Sequence, residues 1–227
     1  MRTLGLVAVL AGCGRLAFVA QRDSGASGGD GSDTTCGAFG DPSASAFGDN
    51  FTSGSLTPGW DIVNGSCVDE SGGELVSTPP SNMSGSYCFV WTHGVYHLSC
   101  DSIVVRVPEV TQPVLGAQTF IYLEPADQSQ QYALILEDGG FNSHLNGTGD
   151  FFPYDAASDA WWRLSEAAGQ LIFSVSPDGA TWTTVDSGPD PFPLDNINVG
   201  LGAGTYVPVA APGQAVFHCY NVPPPCS

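Results

Sequence analysis

Trp161-Trp162-Arg163-Leu164-Ser165-Glu166-Ala167-Ala168-Gly169-Gln170-Leu171-Ile172-Phe173-Ser174-Val175-Ser176-Pro177-Asp178-Gly179-Ala180-Thr181-Trp182 decides how the rest of the chain is read. Trp162 and Leu164 alternate with Arg163 and Ser165, and Leu171, Phe173 and Val175 alternate with Ile172, Ser174 and Ser176. That period of two belongs to strands, not to a helix. An Ala-Ala-Gly turn and a Pro-Asp-Gly turn join the strands, so the stretch predicts a β-meander with Trp162, Leu164, Phe173, Val175 and Trp182 in the core. In the second turn the Asp178 carboxylate is expected to bond the amides that follow it, with Gly179 at positive φ.

Outward from this stretch, apolar alternation between turn residues recurs at short intervals, and no window offers a capped amphipathic helix. Strands are expected at Ala46 to Phe51, Trp60 to Val63, Glu74 to Ser77, Tyr87 to Trp91, Ile103 to Val107, Thr119 to Leu123, Tyr132 to Leu136, Phe141 to Leu145, Asn196 to Ala203 and Ala215 to Val222, besides the meander. About eleven strands in one domain imply two packed antiparallel sheets, because one sheet of that size would leave an apolar face wet. The expected class is an all-β, two-sheet antiparallel jelly-roll sandwich without substantial helix.

The chain has 227 residues, 29 Gly, 17 Pro, 23 acidic residues and five basic ones. The basic residues are all Arg, and from Cys36 onward only Arg106 and Arg163 remain. Neither a phosphate-tracking surface nor an anionic-lipid patch can be assembled from two cations, which excludes nucleic acid as a partner. The many aspartates suit solubility at an exposed location. No loop shows the regular Asp/Asn spacing of a calcium loop, so no cofactor is expected, with calcium left open.

At the start, Arg2 precedes the apolar run Leu4 to Ala11, and Leu10-Ala11-Gly12-Cys13 follows. This resembles a bacterial lipoprotein signal. The resemblance implies cleavage before Cys13 and acylation of that cysteine, a membrane partner through several acyl chains, and, with Gly14 next, an outer-membrane or cell-surface location in a Gram-negative bacterium. An ordinary secretory signal or a misassigned start codon stays open. The expected organisation is a signal over 1–12, an anchor and Gly/Ser/Asp tether over 13–35, and one sandwich domain over 36–227. Within the tether, Gly25-Ala26-Ser27-Gly28-Gly29 matches the pattern of a serine-hydrolase elbow but lacks the strand and helix that such a nucleophile requires.

Setting Cys13 aside leaves an even set of cysteines with no C-x-x-C pair, which reads as three disulfides in an oxidising compartment and disfavours zinc. Count alone leaves connectivity open. The pairing adopted is Cys36 with Cys226 closing the ends, Cys100 with Cys219 on expected neighbouring strands, and Cys67 with Cys88 by remainder; the rival joins Cys88 to Cys100 across a hairpin at Gly94.

Phe47-Gly48-Asp49-Asn50-Phe51, Pro58-Gly59-Trp60, Gly72-Gly73-Glu74-Leu75, Trp162-Arg163-Leu164, Ser176 to Trp182 and Ala215-Val216-Phe217 together resemble concanavalin A-like lectin and glucanase sandwiches, over about residues 45 to 222. The resemblance implies a jelly roll whose concave sheet often holds sugars, in members that are enzymes, lectins or adhesive modules. The glucanases of that family carry Glu-x-Asp-x-x-Glu on one strand, placing a nucleophile and an acid/base on one face. That motif is absent here, so the chain is expected not to be an enzyme.

Ligand contacts are sought among aromatic and polar groups. Trp161 beside Arg163, opposite Trp162 and Leu164, has the composition of a sugar platform with a hydrogen-bonding edge. His144 and Asn142 lie near Glu137 and Asp138 on an apparent hairpin and suit sugar hydroxyls. His93, His97 and Asp101 resemble part of a metal site but lack an evident third ligand set, and His218 shows no partner in sequence. The functional expectation is a membrane-anchored surface lipoprotein whose non-catalytic sandwich binds carbohydrate or another surface polymer. The alternatives are a structural or adhesive envelope lipoprotein and, more distantly, a polysaccharide-active hydrolase.

Overall fold

Short runs in which every second side chain is apolar can bury one face only against a second layer, and this chain builds two such layers. A computed structural model describes residues 42–56, 59–63, 66–143 and 150–225. Among these residues, one seven-stranded antiparallel sheet takes the order β1 (Trp60–Val63), β4 (Ser86–Thr92), β13 (Ile197–Thr205), β6 (Ala117–Pro125), β7 (Tyr132–Glu137), β8 (Gly140–Ser143) and β9 (Asp150–Pro153). The second, also seven-stranded, takes the order β12 (Thr183–Pro189), β11 (Gln170–Ser176), β10 (Trp161–Ala167), β5 (Ser102–Glu109), β14 (Ala215–His218), β3 (Glu74–Ser77) and β2 (Val68–Ser71). The all-β sandwich expected from the sequence is present, and a single 3-10 turn, Ala44–Ala46, is the helical element among the described residues.

The meander is β10, β11 and β12. Ala167 faces Gln170, so Ala168 and Gly169 alone make the connection, and both take positive φ, 54° and 74°. That is the hairpin conformation whose twist matches the flanking strands. In the following turn Asp178 Oδ1 accepts the Ala180 and Thr181 amides, each at 2.8 Å, and Gly179 has φ 73°. Trp162, Leu164, Phe173 and Val175 enter the core between the sheets. Trp182 does not: it is half-buried on the outside, because the Asp178 turn ends before β12 begins and aims the ring back over β10.

Trp162, Phe173 from the second sheet and Phe141 from the first meet edge to face, with Phe141 centroids 5.0 and 4.9 Å from the other two, an arrangement that adds to area burial. Buried Trp162 also satisfies its indole N–H, donating to the Asp159 carbonyl at 2.9 Å. The motif at Phe47 to Phe51, expected as a strand, instead closes one end of the sandwich. Asp49 accepts the Trp60 indole N–H at 2.9 Å and the Phe51 amide at 2.8 Å, and Phe47 packs on Trp60 and Tyr220. An Asp that must serve two donors bends the chain out of a ladder. β2 and β9 are strands that alternation did not announce.

Cys67 and Cys88 are bonded, tying the approach to β2 in one sheet to β4 in the other. Cys100 and Cys219 are both disulfide-bonded, but not to each other. β14 runs antiparallel to β5 with His218 opposite Arg106, and the Asn221 amide donates to the Val104 carbonyl, so Cys219 lies beside the middle of β5. Cys100 precedes that strand, roughly five residues or ~15 Å away at ~3.3 Å per residue, beyond the ~7 Å Cα reach of a disulfide. The rival Cys88–Cys100 pairing fails because Cys88 is already bonded. Cys36, Cys226 and Cys13, with the expected signal and tether, lie outside the described residues.

Candidate functional site: an aromatic face over a glycine trough

Each strand of the first sheet sends alternate side chains outward, and on its central strands those side chains form aligned rows. Tyr87 of β4, Gly204 of β13, Gln118 of β6 and Glu137 of β7 make one row. Phe89, Gly202, Phe120, Ile135 and Asn142 make the next, continued by Phe151 of β9. Asp61 of β1, Trp91, Gly200, Tyr122 and Ala133 make the third. β13 thus presents glycine at three successive outward positions, between aromatic-rich strands on either side.

The glycines are required by close approach. A Cβ at Gly202 would stand 2.3 Å from the Phe89 Cβ and 2.3 Å from the Cys88 carbonyl oxygen. One at Gly204 would stand 2.2 Å from the Tyr87 ring, and one at Gly200 2.8 Å from the Trp91 ring. Side chains there would push the rings of β4 off the sheet. Without them the rings lie down across β13 and meet β6, with Trp91 stacked on Tyr122 at 6.0 Å and Phe120 stacked on Tyr122 at 4.2 Å. Phe120 and Tyr122 are buried beneath this layer, whereas Tyr87, Phe89 and Trp91 keep part of their surface in solvent. Phe151 at the far edge is 52% exposed, an open ring on the same face.

Polar groups bound the aromatic layer. Glu137 accepts the Gln118 amide at 3.0 Å through Oε2 and the Asn142 amide at 3.0 Å through Oε1, which fixes all three planar groups beside Phe151. Burial, then the negative charge of Glu137, raises the Tyr87 hydroxyl above its ordinary pKa, so it stays a neutral donor. At the opposite end Glu124 pairs in register with Asn198, and burial raises the Glu124 pKa. At the margin His93 Nδ1 lies 3.1 Å from Asp61. Flat rings edged by fixed amides and carboxylates match the two-sidedness of a sugar ring, apolar on its faces and hydroxylated at its rim.

Of the residues selected from sequence, Asn142 belongs to this face and His144 lies outside the described residues. Trp161 and Arg163 are elsewhere, on the outward face of the second sheet. Trp161 is only 4% exposed: the 176–181 turn and Pro224 cover it, so close that a Cβ at Gly179 would stand 3.0 Å from its ring. It is no open platform. Arg163 is half-buried against Trp182. His218, without a partner in sequence, bonds Glu74 at 3.0 Å. The aromatic face itself was missed, although Tyr87-x-Phe89-x-Trp91, Phe120-x-Tyr122 and Gly200-x-Gly202-x-Gly204 were each visible as alternations.

No family model and no curated protein matches the chain. Among solved structures it is similar to a native glycosidic hydrolase at 16% identity and TM-score 0.55, over 77% of this chain and 94% of that one. It is similar to a β-glucanase of Bacillus licheniformis at 12% identity and TM-score 0.55, over 77% and 94% of the two chains. A metal-free lectin I-B4 from Griffonia simplicifolia aligns at 10% identity and TM-score 0.54, over 77% of this chain and 96% of the lectin. The fold is therefore the concanavalin A-like jelly roll. The expectation that the chain is not an enzyme is overturned by the same finding: glucanases and a glycosidic hydrolase stand among these neighbours, so a missing strand motif does not exclude hydrolysis. Identity this low carries the fold alone. On the aromatic face Glu137 and Glu124 lie six residues apart along the β6–β7 ladder, ~20 Å at ~3.3 Å per residue.

Proposed function

We propose that the outward face of the first sheet binds a glycan chain. The carrying observation is the glycine trough of β13 with Tyr87, Phe89 and Trp91 laid across it toward Phe120 and Tyr122. A contiguous apolar patch on an outward face marks a place where something docks, and this face carries the part-exposed rings of Tyr87, Phe89 and Trp91 with the open ring of Phe151. The stacked rings offer apolar planes, and Gln118, Glu137 and Asn142 offer a fixed set of hydroxyl partners at one end. The names of the similar structures, a glucanase and a lectin, lend support to a sugar ligand. The Cys13 box supports a further part of the proposal, that the module is acylated there and held at the cell surface.

Purified protein is tested against a panel of neutral polysaccharides, with and without calcium, by affinity electrophoresis and by release of reducing ends. Saturable binding to at least one glycan is expected, weakened about tenfold by Trp91→Ala, as loss of one stacking ring implies. Reducing-end release reads hydrolysis on the same samples. Absence of binding across the panel, or full binding by Trp91→Ala, would sink the reading. For the anchor, Cys13→Ser is expected to move the protein from the membrane fraction to the soluble one; unchanged fractionation overturns it.

A further inference from the structure

We propose that the outward face of the second sheet carries a separate receptor for a small carboxylate, built on Arg163 and Trp182. Arg163 stands on β10 between Val104 of β5 and Ser174 of β11, pointing away from the core because Trp162 and Leu164 point in. Its guanidinium carbon lies 4.4 Å from the Trp182 ring centroid, so the planar group is held over the indole. Its hydrogen bonding is otherwise thin. Nη2 donates to Ser174 Oγ at 3.5 Å, at the limit of a bond, and Nε is enclosed without a partner.

No carboxylate forms an ion pair with Arg163 among the described residues, where the two ion pairs both involve histidine. In a chain with 23 acidic residues and five cations, that is a departure from the usual pairing of a half-buried guanidinium. The flanking acids are committed to other groups: Asp101 to Ser43 and to the Ser45 amide, and Asp178 to the Ala180 and Thr181 amides. Burial holds the Arg163 pKa below its ordinary value.

Beside this cation opens a pocket of about 240 Å³, to which Ser45, Ser102, Asn221 and Pro224 contribute with Arg163 and Trp182. Asn221 is occupied, donating to the Ala44 and Phe47 carbonyls and accepting from the Val104 amide, so it forms wall. Ser45, whose hydroxyl shares a hydrogen bond with that of Ser43 at 3.0 Å, and Ser102 complete the lining. A positioned guanidinium recognises a planar carboxylate through parallel N–H donors, and partial burial strengthens that attraction over its value at an open surface. The volume lies below the ~300–1,000 Å³ of drug-sized sites and has room for one acidic group or one sugar-acid unit. A free organic acid and a uronic acid share this chemistry.

The test is calorimetric titration of the full chain, at constant ionic strength, with sodium acetate, sodium D-glucuronate and D-glucose. Saturable binding of an acid and none of glucose is expected; glucuronate well above acetate assigns a sugar acid, and parity assigns a free acid. Arg163→Gln should weaken the acid about tenfold or more, the worth of a charged hydrogen-bond pair, with near-ultraviolet dichroism confirming the fold. Should that variant not fold, Arg163→Lys and Trp182→Leu are read in its place and should each weaken binding. No saturation by either acid, binding of glucose as strong as that of the acids, or variants that bind like wild type would overturn the proposal.

Discussion

Asp190 follows β12 and donates its backbone N–H to the Gly169 carbonyl at 3.1 Å, beside the β10–β11 turn. Burial, then the negative charge of Glu166, pushes its carboxyl up to about 6, and its Oδ1 is enclosed without a partner. Glu166 accepts the Cys100 amide and, at 2.7 Å, the Gly169 amide. An acid whose folded pKa lies above its unfolded value near 4 binds its proton more tightly when folded. Its contribution to stability is therefore complete below pH ~4, declines as pH rises toward about 6, and is lost above that. Asp190→Asn should flatten the wild-type fall in Tm between pH ~4 and ~6 and raise Tm at pH 7 by about 1–3 °C, in the range that one small site gives a chain of this size. Parallel Tm-against-pH curves for the two proteins would overturn this. The same scale explains why Trp161 misled: alternation rightly put it outward with Arg163, but the cover came from the 176–181 turn folding back and from Pro224, and no local pattern encodes contact with a residue at the far end of the chain.

Strands were legible where one side alternated. Trp60–Val63 and Glu74–Ser77 match their expected bounds, and the meander, β4, β5, β6, β7 and β13 fall within a few residues of theirs. β2 was not legible because Val68-Asp69-Glu70-Ser71 offers one aliphatic residue and buries a carboxylate, Glu70, whose Oε1 accepts the Ser53 hydroxyl at 2.6 Å and the Gly54 amide at 3.0 Å. A buried acid bonded through one oxygen to a distant loop carries no period-two signature. The aromatic face failed for a different reason. Each of β4, β6 and β13 shows its own alternation, but a site exists only when Gly202 falls between Phe89 and Phe120, and register across a sheet is set by long-range pairing. Glycine in a strand reads in isolation as a weak point; beside a tryptophan on the next strand it is the space into which the ring lies. The Cys67–Cys88 bond is of the same kind: it fixes the β2 entry to β4, joining opposite sheets, and count alone could not choose it.

At the scale of the molecule the charge is lopsided, −18 over 227 residues, and the described residues offer little to offset it. Their two ion pairs are His93 with Asp61 and His218 with Glu74, both dependent on a histidine proton, while Arg163 lies against an indole. Electrostatics in the folded state are then mostly repulsion among carboxylates, which unfolding relieves by moving them apart. Salt acts on such a balance in a definite direction. Screening shortens the reach of charge from ~30 Å at ~0.01 M to ~8 Å at ~0.15 M; with few attractive pairs to weaken, it removes more repulsion than attraction. Tm at pH 7 should therefore rise with NaCl, steeply at first and levelling near ~0.3 M, where the screening length is shorter than the usual spacing of surface charges. A protein stabilised by surface ion pairs would lose Tm over the same range. Thermal melts by circular dichroism from ~0.01 to ~0.5 M NaCl decide it: a fall, or a straight rise without levelling, would show that repulsion among the carboxylates is not what limits the stability of this sandwich.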